Sequence, residues 1–344
     1  MPDVLAVPGP GATAATVGSP DHPLATMLLI AYNQEASIGE AIAGALAQTY
    51  QPLEIFISDD ASSDGTYATI LAAVKGYDGP HRLVVNRNPV NVGIGAHLSL
   101  LVERSRGELL FVAGGDDISL PERCAKTVDA WIASGKKLDL IAAPLIDVDA
   151  DGRSHGVLQP TDLSTYRTAA DWLAHRPYVV GAAQAWTRRL VDRFGPFPAG
   201  VVGEDMLMAF RAILAGGAIT LTEPLVRYRR GGVSRRRRSL DAASVATRIR
   251  KNNRNALVEL AQLLADAERG GQAEVVAPAL EARLAHERFI RDVFAAPGAR
   301  AQLRIASEAR SVPLGTRVRM LVYAACPALL APFFAIKRRL PERE

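Results

Sequence analysis

The sequence predicts an α/β fold: a mostly parallel sheet covered by helices on both faces, followed by a helical appendage. Three observations carry this. Short apolar runs alternate with helix-spaced segments from Ala25 to about Ala143, the pattern of successive βα units. Polar clusters follow the ends of those apolar runs, where open parallel sheets place ligands. After residue 240 the composition turns to Ala, Leu, Glu and Arg with helical spacing.

Each element has its own signal. Thr26–Tyr32 (TMLLIAY) is continuous in apolar residues and predicts a buried strand. Gln34–Gln48 has helical spacing, with Asn33 as the expected N-cap and Pro52 just beyond its end. Leu53–Ser58 predicts a second strand, DDASSDGT a turn-rich loop, and Thr66–Lys75 a helix. His81–Asn86 holds a short third strand, and a helix begins near Gly93–Gly95. Glu108–Ala113 predicts a fourth strand ending in GGDD, Pro121 opens a helix to about Ser134, and Leu138–Ala143 is one more strand. AITLTEPLVRY predicts a strand before the Arg-rich segment, and Ala242–Gln272 and Ala277–Phe294 predict long helices.

The boundaries follow. Residues 1–24 are rich in Pro, Gly, Ala and Thr and are expected to be a disordered lead-in. Residues 25–238 are expected to form the main domain, in two halves at 25–145 and 146–238. Residues 239–310 are the helical appendage, and 311–344 an apolar C-terminal segment. In that segment Met320–Ile336 is a run of 17 uncharged residues with Arg317 and Arg319 before it and Lys337, Arg338 and Arg339 after it. It is short for a membrane span and broken by Pro327 and Pro332; an interfacial segment and a buried tail helix are both open.

Composition excludes several classes. Two cysteines among 344 residues allow no disulfide framework and no Cys-built zinc site. The formal charge of +4 is local, because residues 227–238 hold seven Arg and no acid. Without them, 33 basic residues stand against 36 acidic ones. With no recognition motif either, nucleic acid is not an expected partner. The start of the chain lacks a secretory signal, and the expected location is cytoplasmic, with the inner face of the plasma membrane open.

Four clusters carry the chemistry: Tyr32 to Glu35, Asp59-Asp60 with Asp64, Asp116-Asp117 after two glycines, and Glu204-Asp205 at a predicted helix start. Adjacent carboxylates after a buried strand repel unless a cation or donors offset their charge. One such pair alone reads better as an Asx-turn or cap; two pairs at two strand ends of one sheet favour a metal–nucleotide site with Mg²⁺ or Mn²⁺. Tyr32 beside Asp60 could stack on a nucleobase and accept a hydrogen bond from it, or simply pack on the sheet edge. Glu204 and Asp205 are dipole-favoured first-turn acids or a general base. Arg229, in a basic stretch before Gly231-Gly232, could reach a diphosphate; a solvated basic face is the alternative for Arg235–Arg238.

The order of these motifs resembles the family 2 glycosyltransferases, the inverting group with the GT-A fold. The similar segments are LLIAYNQEASIGEAIAGALAQTYQPLEIFISDDASSDGT, NVGIGAHLSLLVERSRGELLFVAGGDDISLPER and FGPFPAGVVGEDMLMAFRAILAGG. The resemblance implies that Tyr32 stacks near the base, that Ala31 and Glu35 line that pocket, and that Asp60 hydrogen-bonds the base. It implies that Asn91 and Gly93 lie in the loop beside the donor, Asp116 near the ribose and sugar, and Asp117 on the metal. Asp205 matches the catalytic base and Glu204 its neighbour in the acceptor site. One departure is plain: many relatives carry Asp-x-Asp-Asp, whereas here Gly114 replaces the first acid. The implied activity is metal-dependent, inverting transfer of a sugar from a nucleotide-diphosphate sugar to a hydroxyl of a saccharide or lipid-linked saccharide, in cell-surface polysaccharide or glycolipid synthesis. Peripheral membrane contact would run through the C-terminal segment. A nucleotidyltransferase and a nucleotide-sugar-binding module without turnover are the rival readings.

Overall fold

The computed structural model describes residues 3–7, 18–229 and 242–325. The chain divides into two compact units, one of residues 1–235 with 266–272, the other of 236–265 with 273–344. In the first unit the strands are β1 (Asp3–Val7), β2 (Ala25–Ala31), β3 (Leu53–Asp59), β4 (Arg82–Arg87), β5 (Leu109–Gly114), β6 (Ile118–Ser119), β7 (Leu140–Ala142), β8 (Leu145–Val148), β9 (Ser154–Leu158), β10 (Gln184–Thr187), β11 (Ala218–Thr220) and β12 (Val226–Arg229). Its helices are α1 (Ile38–Leu46), α2 (Thr66–Val74), α3 (Ile94–Arg104), α4 (Arg123–Ala133), α5 (Ala169–Ala174), α6 (Arg188–Phe194) and α7 (Glu204–Ala215).

Eight strands form one sheet in the order β1-β4-β3-β2-β5-β10-β7-β11. β4, β3, β2 and β5 are mutually parallel, as the βα spacing predicts. Their runs are buried on both faces: Met27, Leu29, Ile55, Ile57, Leu83, Val85, Leu109 and Phe111 share one core with Ile38, Ile42, Ile70 and Val128 from the covering helices. Burying such side chains contributes about 1.5–3 kcal/mol each, so this apolar centre fixes the strand ends from which the polar clusters project.

Several details depart from the sequence reading. β10 enters antiparallel between β5 and β7. AITLTEPLVRY is two strands in two sheets: β11 joins the large sheet, and β12 joins a second sheet of order β6-β12-β8-β9. Pro224 lies between them and cannot donate to a ladder. α1 begins at Ile38, four residues later than expected, because Asn33 adopts a left-handed φ of 52° and residues 33–35 bond to the loop after β3 instead. Within the expected lead-in, Asp3–Val7 form a strand that pairs antiparallel with β4. The rest of 1–17 lies outside the described residues, as do Arg230 and Arg235–Arg238.

The second unit contains most of α8 (Ala242–Arg269), with α9 (Ala273–Ala295), α10 (Ala299–Glu308) and α11 (Leu314–Ala325). Phe289, Ile290, Val293, Ala306, Val312 and Met320 make its core. The last turn of α8 groups with the first unit. There Asp266 forms a fully buried ion pair of 2.7 Å with Arg211 of α7, and the Arg211 guanidinium also donates to the Gly195 carbonyl. Met320–Ala325 of the apolar run end α11, and 326–336 lie outside the described residues. Among the described residues no helix is long and apolar enough to cross a membrane.

Candidate active site

The first group of site residues forms at the carboxyl ends of β2 and β3. The Asp60 amide donates to the Ala31 carbonyl at 2.9 Å, which ties the end of β3 to the segment carrying Tyr32. The Asp60 carboxylate, 3% exposed, is well supplied with donors. It accepts from Asn88 Nδ2 at 2.8 Å and from the Val92 and Gly93 amides at 3.0 and 2.9 Å, while Asn91 Nδ2 donates to its carbonyl at 3.2 Å. Gly93 has a φ of 80°, a conformation that suits glycine and lets the loop fold back onto Asp60 before α3 starts. Behind Asp60 the buried network continues through Asn86 and Ser58 to His97. Burial lowers the His97 pKa, opposed by the charges of Asp60 and Asp59.

Tyr32 stands at the rim of this group, 49% exposed. Glu35 points elsewhere. Its carboxylate accepts the Gly65 amide at 2.9 Å and its own amide donates to Asp64, so it braces the loop leading into α2.

The second group follows β5. A Cβ on Gly114 would lie 2.9 Å from Asp116 Oδ1 and 3.0 Å from Asp117 Oδ2, so both carboxylates reach over the same point. A Cβ on Gly115 would lie 2.5 Å from Gln34 Oε1 and 3.0 Å from Ala31 Cβ, which sets the pair beside the end of β2. Burial first, and Asp116 second, push the Asp117 carboxyl up to about 8, against the Arg229 amide and the charges of Arg123 and Arg229. Burial also raises Asp116, opposed by its own backbone, Arg229 and Gln34.

Arg229 differs from the phosphate-binding side chain expected for it. Its amide donates to Asp117 Oδ1 at 3.0 Å, its Nε to the Asp116 carbonyl at 3.3 Å, and its Nη2 pairs with Glu40 of α1 at 2.9 Å. In this arrangement the guanidinium braces the acidic turn.

The third group opens α7. Glu204 is buried, and its Oε2 has no hydrogen-bond partner. Burial, reinforced by the neighbouring Asp205, raises its pKa to about 8. Asp205 is partly exposed, and its carbonyl accepts Gln184 Nε2 at 3.2 Å. Gln184 begins β10, whose Ala185 pairs with Phe111 of β5, so the preceding Gly181–Ala183 turn leaves the sheet at the end where β5 delivers Asp116 and Asp117. A Cβ on Gly181 would lie 2.9 Å from Glu204 Oε1. Asp60, Asp116 and Asp117 therefore follow the carboxyl ends of neighbouring parallel strands, and Asp205 opens α7 beside the turn that leaves the sheet at that same end; Glu35 and the Arg229 guanidinium make bracing contacts.

Sequence reasoning missed Arg123, Gln184, Glu40 and Asn88. Arg123 and Gln184 did leave a signal, being polar residues at positions whose neighbours mark a buried helix face and a buried strand. Glu40 lies on the exposed side of an ordinary amphipathic helix and leaves none.

Comparison with known proteins agrees with this geometry. Residues 26–193 match the family model described as glycosyl transferase family 2. An uncharacterized protein of Mycobacterium tuberculosis is 28% identical over 208 residues, 60% of this chain and 58% of that protein. The succinoglycan biosynthesis protein ExoO of Rhizobium meliloti is 34% identical over 149 residues, 41% of this chain and 39% of that one. The chain thus spans less than two thirds of the length of these curated relatives. Among solved structures, residues 1–349 of TarS from S. aureus, in complex with UDP-GlcNAc, superpose with a TM-score of 0.52 at 17% identity, covering 86% of this chain and 90% of that one. The mannosyltransferase PcManGT from Pyrobaculum calidifontis, with GDP-Man and Mn²⁺, gives 0.53 at 22% identity, covering 93% and 81%. Residues 26–193, built on a GT-A sheet, are thus a glycosyl transferase family 2 region.

Proposed function

We propose that the chain transfers a sugar, with inversion, from a nucleotide-diphosphate sugar to an acceptor hydroxyl, in the synthesis of a cell-surface polysaccharide or glycolipid. The observation that carries the reading is the set of acids at and beside the carboxyl ends of the parallel strands. One group lies beside an exposed aromatic ring, one is a crowded pair, and one stands at a helix start with an unpartnered buried oxygen. The solved relatives with bound UDP-GlcNAc and GDP-Man support a nucleotide-sugar donor.

The residues fit a divalent metal. Asp116 and Asp117 offer two hard oxygens around a cradle that one Cβ would fill, and their mutual repulsion is of the kind a cation relieves. Mg²⁺ and Mn²⁺ are typically held by one or two carboxylates together with substrate phosphates. Asp117 would be the principal ligand, and the bound ion would neutralise charge on the departing diphosphate.

The chain's own groups do the rest. Tyr32 would stack on the nucleobase. Asp60 would hold the loop of Asn91 and Gly93 against the donor and accept one further hydrogen bond from the base, since a carboxylate has about four acceptor positions. Asp205 would take the acceptor proton as the acceptor oxygen forms its bond to the anomeric carbon and the carbon–phosphate-oxygen bond breaks. Attack from the opposite face inverts that carbon. Glu204, held neutral by its burial, would present a hydrogen bond to the acceptor without competing for the proton.

The test is a panel of nucleotide-diphosphate sugars screened with Mn²⁺ or Mg²⁺ for thermal stabilisation, donor hydrolysis and transfer. Stabilisation by one donor with metal-dependent turnover is expected. Binding without hydrolysis or transfer across a panel of acceptors would reduce the chain to a binding module.

A further inference from the structure

Between the acidic pair and the α7 acids lies a buried polar path with no solvent contact to explain it. Gln184 is fully buried, and both ends of its carboxamide are used. Nε2 donates to the Asp205 carbonyl at 3.2 Å, and Oε1 accepts the Trp186 indole N–H at 2.8 Å. Its backbone carbonyl accepts Arg123 Nη2 at 3.2 Å. Arg123 is 2% exposed, and its other hydrogen bonds also go to neutral groups, Ser119 Oγ at 2.9 Å and the Val112 carbonyl at 2.7 Å. Burying a guanidinium against neutral oxygens is costly unless a negative charge lies near it, and Asp117 contributes such a charge. At the far end, the N-cap position of α7 is Gly203, with no side-chain cap. The Gln184 carboxamide is thus a side-chain tether on the turn that carries Asp205.

We propose that Gln184, braced through its backbone by Arg123, is a positioning residue that fixes the base Asp205 relative to β10 and its neighbour β5, the strand that delivers Asp117. The proposal rests on the reading of Asp205 as general base. A base acts only within hydrogen-bond reach of the proton it takes, and a misplacement of about 1 Å can cost on the order of 100-fold. The Gln184 carboxamide holds the Asp205 turn through hydrogen bonds that involve neither ligand.

The experiment compares Gln184→Met, Trp186→Phe and Asp205→Asn in the full chain, using the nucleotide sugar and acceptor identified by the panel. Gln184→Met removes the tether but keeps the strand and the Arg123 contact to the backbone. It is expected to bind donor within about twofold of the parent while kcat for transfer falls about tenfold or more, with a thermal midpoint lowered only as far as the lost acceptor of the Trp186 indole N–H requires. Trp186→Phe, which keeps the bond from Gln184 to Asp205, is expected to stay within about twofold in kcat. Three results would overturn the proposal: Gln184→Met with unchanged kcat; Gln184→Met losing donor affinity, kcat and thermal midpoint together, which marks a purely structural residue; or Trp186→Phe losing as much kcat as Gln184→Met. Should Asp205→Asn transfer sugar at the parental rate, it is the assignment of the base that fails, and the Gln184 result is then judged on its own kcat and affinity.

Discussion

The carboxylate of Asp60 and those of Asp117 and Glu204 are almost equally buried, yet the fold treats them differently. Asp60 receives three hydrogen bonds from a network that runs on to His97. Asp117 is crowded by Asp116, Glu204 is crowded by Asp205 and keeps an oxygen without a partner, and burial raises both pKa values to about 8. Buried polar groups are normally satisfied. Asp60 is therefore an acid the protein uses to build its own loop. Among the described residues Asp117 accepts only the Arg229 amide and is repelled by Asp116, while Glu204 keeps an oxygen unpaired, so a cation and an acceptor would relieve them.

That contrast can be broken by experiment. The largest effect is expected at Asp205→Asn, which removes the base: transfer should fall by about 10²–10⁴-fold with donor binding kept. Parental transfer rates would remove Asp205 from its role. Next comes Asp117→Asn, or chelation of the metal. Either should abolish the metal-dependent part of donor-induced thermal stabilisation, measured as the shift in unfolding midpoint with and without Mn²⁺. An undiminished metal-dependent shift would mean that the ion is held elsewhere.

Stability should then separate the two kinds of acid. Asp60→Asn trades a carboxylate acceptor for an amide facing the Val92 and Gly93 amides, and should cost about 1.5–3 kcal/mol in denaturant unfolding without ligand. Asp117→Asn relieves the repulsion with Asp116 but also removes a charge that favours the buried Arg123 guanidinium, so its stability loss should be smaller than that of Asp60→Asn. Equal losses at both sites would erase the distinction.

The smallest effect concerns pH. Glu204 has its folded pKa raised to about 8 from an ordinary value near 4.5, so the folded state holds the extra proton between those limits. Its contribution to stability is full below pH 4.5 and declines as pH rises toward 8, by up to about 1.4 kcal/mol per pH unit. Glu204→Gln should flatten that decline in unfolding measurements across pH 5–8. An unchanged slope would place its titration elsewhere.

Much of this was legible in the chain. The parallel strands β2 to β5 announced themselves as unbroken apolar runs, and the acids that follow them marked their carboxyl ends. What was hidden depends on distant partners. Nothing local in QAWT says that β10 would run antiparallel between β5 and β7, because a four-residue strand with two polar residues pairs with whichever edge the fold leaves open. The turn at Asn33 was read as a helix cap because its hydrogen bonds go to Ser62 and Ser63 across the sheet. Arg229 looked like a phosphate ligand, and the carboxylate that engages it, Glu40, lies far away in sequence. Residue types revealed the chemistry; which acids are satisfied emerged only from the fold.

The most direct test is a crystal structure of the full chain grown with Mn²⁺ and the nucleotide sugar that stabilises it. The account requires the base against Tyr32, the ion between Asp117 and the diphosphate, the Asp60 bonds to Val92 and Gly93 unchanged, and the anomeric carbon facing Asp205. A nucleotide bound with Asp117 and Asp205 both out of reach of it would contradict the account.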